Sequence, residues 1–167
     1  MMALLMAAAL VQSAEPEIFA ETAGWSIARH DGGCLMTQEY DGEGNTIITF
    51  AVSPADTSAP LTILVGNSGW SLPEADDEGY RIELGGSEAV WNDLAVRTFT
   101  TDGDGEAGRD GVISIGFAAD AIASLMDDIA GASELHLSRQ GVTVDRLALS
   151  GTEAAVGRLG ECVRTLP

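Results

Sequence analysis

The chain has 167 residues, 46% of them hydrophobic, and a formal charge of −18 from 8 basic and 26 acidic side chains. That length suits one domain with its own core, and the composition excludes collagen, low complexity and wholesale disorder. All eight basic residues are arginine, so the phosphate neutralisation on which nucleic-acid binding rests is out of reach, and anionic membrane surfaces are poor partners for the same reason. A high-salt or GC-rich background would produce the same acidity, since net charge reports on solubility and association rather than on fold.

At the start of the chain, Ala3 to Val11 is an unbroken apolar run, followed by Gln12-Ser13-Ala14 and the acidic, proline-containing Glu15-Pro16-Glu17. This layout predicts a signal peptide over residues 1–14 and a single exported domain over 15–167, periplasmic or secreted. The run is too short to span a bilayer, and Met1-Met2 lacks the customary Lys or Arg. No membrane insertion is expected after cleavage. The two cysteines, Cys34 and Cys162, are expected to form one disulfide, because an exported domain with an even cysteine count most simply pairs them. Neither a zinc-type Cys/His set nor a C-x-x-C redox motif is present.

From Trp25 onward, short alternating segments bounded by turn residues predict antiparallel strands. Trp25–Arg29 leads through His30-Asp31-Gly32-Gly33 into Cys34–Tyr40, and Asp41-Gly42-Glu43-Gly44-Asn45 turns the chain into Thr46–Val52. Further strands are read at Leu61–Val65, Tyr80–Leu84, Leu94–Phe99 and Val112–Phe117. The period then changes: Ile122, Leu125, Met126 and Ile129 form the apolar stripe of a helix over about 119–131, closed by Gly131. Leu135 and Leu137 resume the strand period, and Val142 to Leu149 reads as a strand bulged near Asp145. Ser150-Gly151-Thr152-Glu153 fits a capping box for a last helix over about 151–163, with Val156, Leu159 and Val163 as its buried stripe. Gly157 and Gly160 inside that helix each cost roughly 1 kcal/mol against alanine, so it needs tertiary support, which a bond from Cys162 to Cys34 would supply. The fold class expected is α+β: an antiparallel β-sheet or small β-sandwich with two helices packed on it.

Catalytic signatures are missing. Val112-Ile113-Ser114-Ile115-Gly116 lacks the first glycine of a nucleophile elbow, and no phosphate loop, dinucleotide fingerprint or H-E-x-x-H occurs. His30 sits in a turn, and His136, flanked by Leu135 and Leu137, points to the polar face of a strand. In the loop Thr101–Gly111, the residues Asp102, Asp104 and Glu106 occupy positions 1, 3 and 5 of a calcium-loop register, with Asp110 nearby. The register then breaks: position 6 is Ala107, position 8 is Arg109 and position 12 is Ile113. No cofactor is expected beyond loose calcium binding there, and a small ion-dependent hydrolase with its site in 102–110 is the alternative to a binding protein.

Topology is more informative than motifs. If successive strands from Trp25 to Phe117 run antiparallel, alternate connections emerge at one end of the sheet. One end then collects Asp31, Asp56 and Glu88. The other collects Asp41, Glu43, Glu74, Asp76, Asp77, Glu78, Asp102, Asp104, Glu106 and Asp110 against the single Arg109, with Trp70 available as an aromatic anchor. Converging like charge attracts a basic partner or cations. The expected function is a non-enzymatic binding domain for a basic protein of the envelope.

Trp25 ahead of Cys34, Tyr40 before a turn, Asn67-x-x-Trp70 and the closing Gly151-x-x-Ala154-Ala155-x-x-x-Leu159-x-x-Cys162 make the chain similar in layout to small exported proteins of Gram-negative, chiefly alphaproteobacterial, bacteria. It resembles the invasion-associated locus B family and the periplasmic accessory proteins of type VI secretion. The resemblance implies a β-rich exported domain and carries over no catalytic residue.

Overall fold

The computed structural model describes residues 15–42, 44–86, 88–101 and 110–167, with the backbone alone at Asp93 and Asp110. The expected signal peptide at 1–14 lies outside the described residues. Ten strands run β1 (Glu17–Thr22), β2 (Trp25–His30), β3 (Gly33–Tyr40), β4 (Thr46–Val52), β5 (Leu61–Asn67), β6 (Ala75–Gly85), β7 (Val90–Thr101) and β8 (Asp110–Phe117), then β9 (Glu134–Arg139) and β10 (Val142–Ala148). Helix α1 (Ala119–Gly131) separates β8 from β9, and α2 (Thr152–Arg164) closes the chain. The protein is thus a mostly antiparallel β structure with two helices. Of the two arrangements expected, sheet or sandwich, the hydrogen-bonding ladder draws one sheet in the order β1-β2-β3-β4-β5-β8-β7-β6-β9-β10.

Every neighbouring pair in that order is antiparallel. After β5 the chain skips two places, runs β6 and β7 back, and lays β8 against β5 in the register Leu61↔Phe117 to Asn67↔Gly111. The pleat sends Ile48, Phe50, Ile63, Val65, Ile113 and Ile115 into the core, each at most 1% exposed. The sheet is strongly curled. Seven strand steps separate β3 from β10, which at the usual strand spacing would put them roughly 34 Å apart if flat, yet the Tyr40 hydroxyl donates to the Ala148 carbonyl at 2.6 Å. Beside this seam Thr46 Oγ1 donates to Asp145 at 3.1 Å, and the Trp25 indole donates to the Ser150 carbonyl at 2.9 Å.

Within α1, Leu125 and Ile129 are fully buried, as their spacing foretold. Its main neighbour is α2, and α2 in turn touches β1, β2 and β3. The buried stripe of α2 is Thr152, Ala155, Leu159 and Cys162, with Val156 and Val163 only partly covered. The stripe is rotated from the expected one because Cys162 is bonded to Cys34 on β3. The capping box does not form. Gly151 is the N-cap in the left-handed region (φ 76°), and the Thr152 hydroxyl donates back to the Leu149 carbonyl at 2.9 Å. A Cβ at Gly151 would also lie 2.3 Å from that of Ala23, so the β1–β2 turn admits only glycine there. Strand β1, with its exposed Ile18 and mixed pattern, was not foreseen, and β6 and β7 are longer than the sequence suggested. The bulge near Asp145 is present between Thr143 and Asp145.

The Cys34–Cys162 disulfide spans 128 residues, and both cysteines are completely buried. Such a long closed loop restricts the unfolded chain strongly, so a Cys34→Ala/Cys162→Ala variant should lose between about 2 and 5 kcal/mol in urea titrations. A reductant without denaturant should leave the buried bond intact by thiol counting. The Tyr40 phenol is pushed up to about 12, first by burial and second by the charge of Asp145. Its contribution to stability is therefore complete below pH 10 and is lost as the pH rises through the folded value. Tyrosinate absorbance should show this late titration, and Asp145→Asn should shift it down only in part, since burial is the larger cause.

Candidate functional site

Successive strands from β2 to β8 alternate in direction, so the connections 41–45 and 68–74 lie at the same end of the sheet as the strand ends Thr101 and Asp110. The two connections are stapled together. Both the backbone N–H and the hydroxyl of Ser68 donate to the Gly44 carbonyl at 2.7 Å, and a Cβ at Gly44 would lie 2.3 Å from the Asn67 side-chain oxygen. Asn67 itself is buried, donating to Thr46 Oγ1 at 2.8 Å and accepting from the Gly69 N–H at 2.7 Å. Farther along, Thr100 and Thr98 on β7 donate to the carbonyls of Leu72 and Pro73. Trp70 is half-buried against the core, and a Cβ at Gly111 would lie 2.7 Å from its own. It is a packing residue of this end, seated where β8 begins.

The acidic residues do not all gather there. Asp76, Asp77 and Glu78 were expected in a loop over 67–79, but the loop ends at Glu74 and these three belong to β6. Asp76 is opposite Arg97 and Asp77 opposite Val96, after which the register slips toward Tyr80. The hydroxyl of Thr98, which takes the Pro73 carbonyl, and Arg97, whose guanidinium donates to Glu74 at 2.7 Å, hold this entry to the strand. Asp41 lies at the β3–β4 turn, at the same end of the sheet as the 68–74 connection. Glu43, Asp102, Asp104 and Glu106 lie outside the described residues, as does the side chain of Asp110. Among the described residues no group of three or more His, Cys, Asp or Glu is placed to hold a metal ion.

The structure brings Asp76, Asp77 and Glu78 to one wall of a groove of about 830 Å³ on the outer face of the sheet. Its floor is made by outward positions of three adjacent strands: Thr62 on β5, Ser114 and Gly116 on β8, Ala95 and Arg97 on β7. Small side chains on consecutive strands leave a depression, and this is the feature that acid counting overlooks. Its signal in the sequence is the outward series Val112, Ser114, Gly116, which shrinks along β8. Opposite the acidic wall stand Ser58 and Ala59 of the β4–β5 connection, and a Cβ at Gly116 would lie 3.0 Å from that of Ala59.

Charge in the groove is unevenly neutralised. Arg97 is bound to Glu74, and Arg139 pairs with Asp77 at 2.7 Å with its guanidinium 5.7 Å from the Tyr80 ring centre. Asp76 and Glu78 make no ion pair among the described residues. Elsewhere on the outer face His136 lies 3.2 Å from Glu83 and 3.0 Å from the Thr143 hydroxyl, while Glu83 also pairs with Arg81. This cross-strand chain satisfies a histidine on the polar side of β9.

The chain matches no protein-family model, no curated protein and no solved structure.

The loop wall is held by Asp56, which accepts from the Ser58 hydroxyl at 2.6 Å, the Ser58 N–H at 2.9 Å and the Ala59 N–H at 3.2 Å. These bonds, the Ser58 hydroxyl foremost, hold its carboxyl below the ordinary aspartate range. A depressed folded value means that the bracing is present at neutral pH and is lost as the pH falls through that value. Ser58→Ala should raise the Asp56 carboxyl toward its ordinary value in an NMR titration. An unchanged titration would remove the hydroxyl from the account.

Proposed function

We propose that the protein is a non-enzymatic binding domain, periplasmic or secreted, whose outer-face groove receives a basic segment of an envelope protein. One observation carries the reading: a groove of about 830 Å³ floored by small side chains and walled by three consecutive carboxylates, two of them without an ion pair among the described residues. A flat acidic surface would attract cations without selecting their shape. A groove lets an extended chain approach the backbone of Gly116 and Ala95 while its cationic side chains face Asp76 and Glu78. The buried disulfide and the lack, among the described residues, of any helix long and apolar enough to cross a membrane are compatible with a place outside the cytoplasm.

Exposed charges act through a screened field, so binding of an arginine-containing peptide should weaken at least about tenfold as salt rises from about 0.01 to 0.15 M, where the Debye length shortens from about 30 to 8 Å. Asp76 and Glu78 are exposed strand residues, and an Asp76→Asn/Glu78→Gln variant should keep its fold and lose most of that affinity. Arg97→Gln should strengthen binding, because it removes a cation from the groove while its amide can still donate to Glu74 and hold the entry to the strand. Calorimetry checks all three. Affinity that ignores salt, or the same affinity in the double variant, defeats the reading; calcium in place of peptide giving the larger heat would mean the groove serves cations alone.

A further inference from the structure

Beside the acidic groove, on the same outer face, lies a second depression of about 240 Å³ with no charged residue among the described residues of its lining. It exists because one position in an apolar cross-strand row is glycine. Ile47 on β4 is opposite Gly66 on β5, Gly66 is opposite Val112 on β8, and Val112 is opposite Phe99 on β7. Leu64 borders the gap on the groove side, and Ile47 is 37% exposed. Glycine is a poor strand residue, and here neither a positive φ nor a clash requires it: a Cβ at Gly66 would meet only ordinary contacts, 3.7 Å to Val112 and 4.0 Å to the Gly111 carbonyl.

The spacing between the two depressions is the same on three strands. The groove positions farthest from the notch are Thr62, Gly116 and Ala95, the notch is centred on Gly66, Val112 and Phe99, and Leu64, Ser114 and Arg97 lie between the two sets on the same face, lining one depression or the other. On β5, β8 and β7 alike the two positions are four residues apart, about 13 Å at the usual strand rise. An extended ligand lying along these strands has the same rise, and its residues i and i+4 point to the same side. A helical ligand would cover that span only in about nine residues.

We propose that the Gly66 notch takes the apolar side chain of an extended basic segment whose cationic residue, four positions away, sits in the acidic groove. This rests on the groove reading and adds the ligand's conformation and register to it. The acids of the neighbouring groove select the charge of the occupant, and the uncharged notch selects an aliphatic or aromatic anchor of matching size.

The test uses short peptides with one arginine and one leucine, the leucine placed three, four or five positions from the arginine, and measures their affinity for the full mature chain at low salt. The i+4 peptide should bind at least tenfold tighter than the i+3 and i+5 peptides and than its Leu→Ala counterpart. Gly66→Val, which fills the notch with a strand-favouring residue, should abolish the advantage of leucine and leave the weaker, salt-dependent binding of arginine. Val112→Ala, which enlarges the notch, should shift preference from leucine to phenylalanine. Equal affinity across registers, or a leucine advantage that survives Gly66→Val, would overturn the register while the groove stands. No salt-dependent binding of any of these peptides would overturn both.

Discussion

The two-residue period of the four central strands β4, β5, β8 and β7 is the constraint from which the rest follows. Each inward residue of this set, from Ile48 and Phe50 through Ile63 and Val65 to Ile113 and Ile115, is sealed in the core, so its neighbours are committed to the outer face. A slip of β8 by one residue against β5 would bury Ser114 in place of isoleucine, the unsatisfied hydroxyl costing about 1–3 kcal/mol. Core and groove are thus two faces of one register. The outward residues were free to be small, and on β8 they become smaller toward Gly116.

Curling makes this register permanent. Joining β3 to β10 through Tyr40 and Ala148, and β3 to α2 through the disulfide, ties together segments more than 100 residues apart. Arg29 adds a further tie, donating to Thr165 beyond α2 at 2.9 Å while lying over the Phe19 ring of β1. Helix α2, weakened by its own glycines, depends on these attachments: Gly157 faces open space, and the residues that hold the helix are on the opposite stripe. Helix α2 lies against β1, β2 and β3, away from the central strands whose outward residues form the groove.

What could be read in the sequence was what local periodicity encodes. The hairpin around Asp41–Asn45, the stripe of α1 and the bulge before Asp145 were legible because neighbouring residues determine them. Three things were not. The pairing of β5 with β8 is non-local, and no spacing announces it. The N-terminal stretch of β6 was hidden because Asp76-Asp77-Glu78 has the composition of a loop, and its ladder to β7 together with the side chains of Arg97, Thr98 and Arg139, all distant in sequence, holds it in the sheet. The capping box failed because the contact between Gly151 and Ala23 dictates a left-handed residue at the helix start. For the site, the acids were legible and the groove was not, because a depression is made by what its floor lacks.

The placement of the few cations bears on whether the acidity is mere background. With only eight arginines in the chain, a pair of them standing over one short acidic stretch is a considerable share. Arg97 and Arg139 bind Glu74, two residues before Asp76, and Asp77, between Asp76 and Glu78, and so ease the repulsion among three successive carboxylates in a strand of poor propensity. A general drift toward acidity would spread such residues over loops and exposed helix faces, where they cost little. Here the sheet keeps three of them in a strand at the expense of local fit, and arginines distant in sequence offset that misfit.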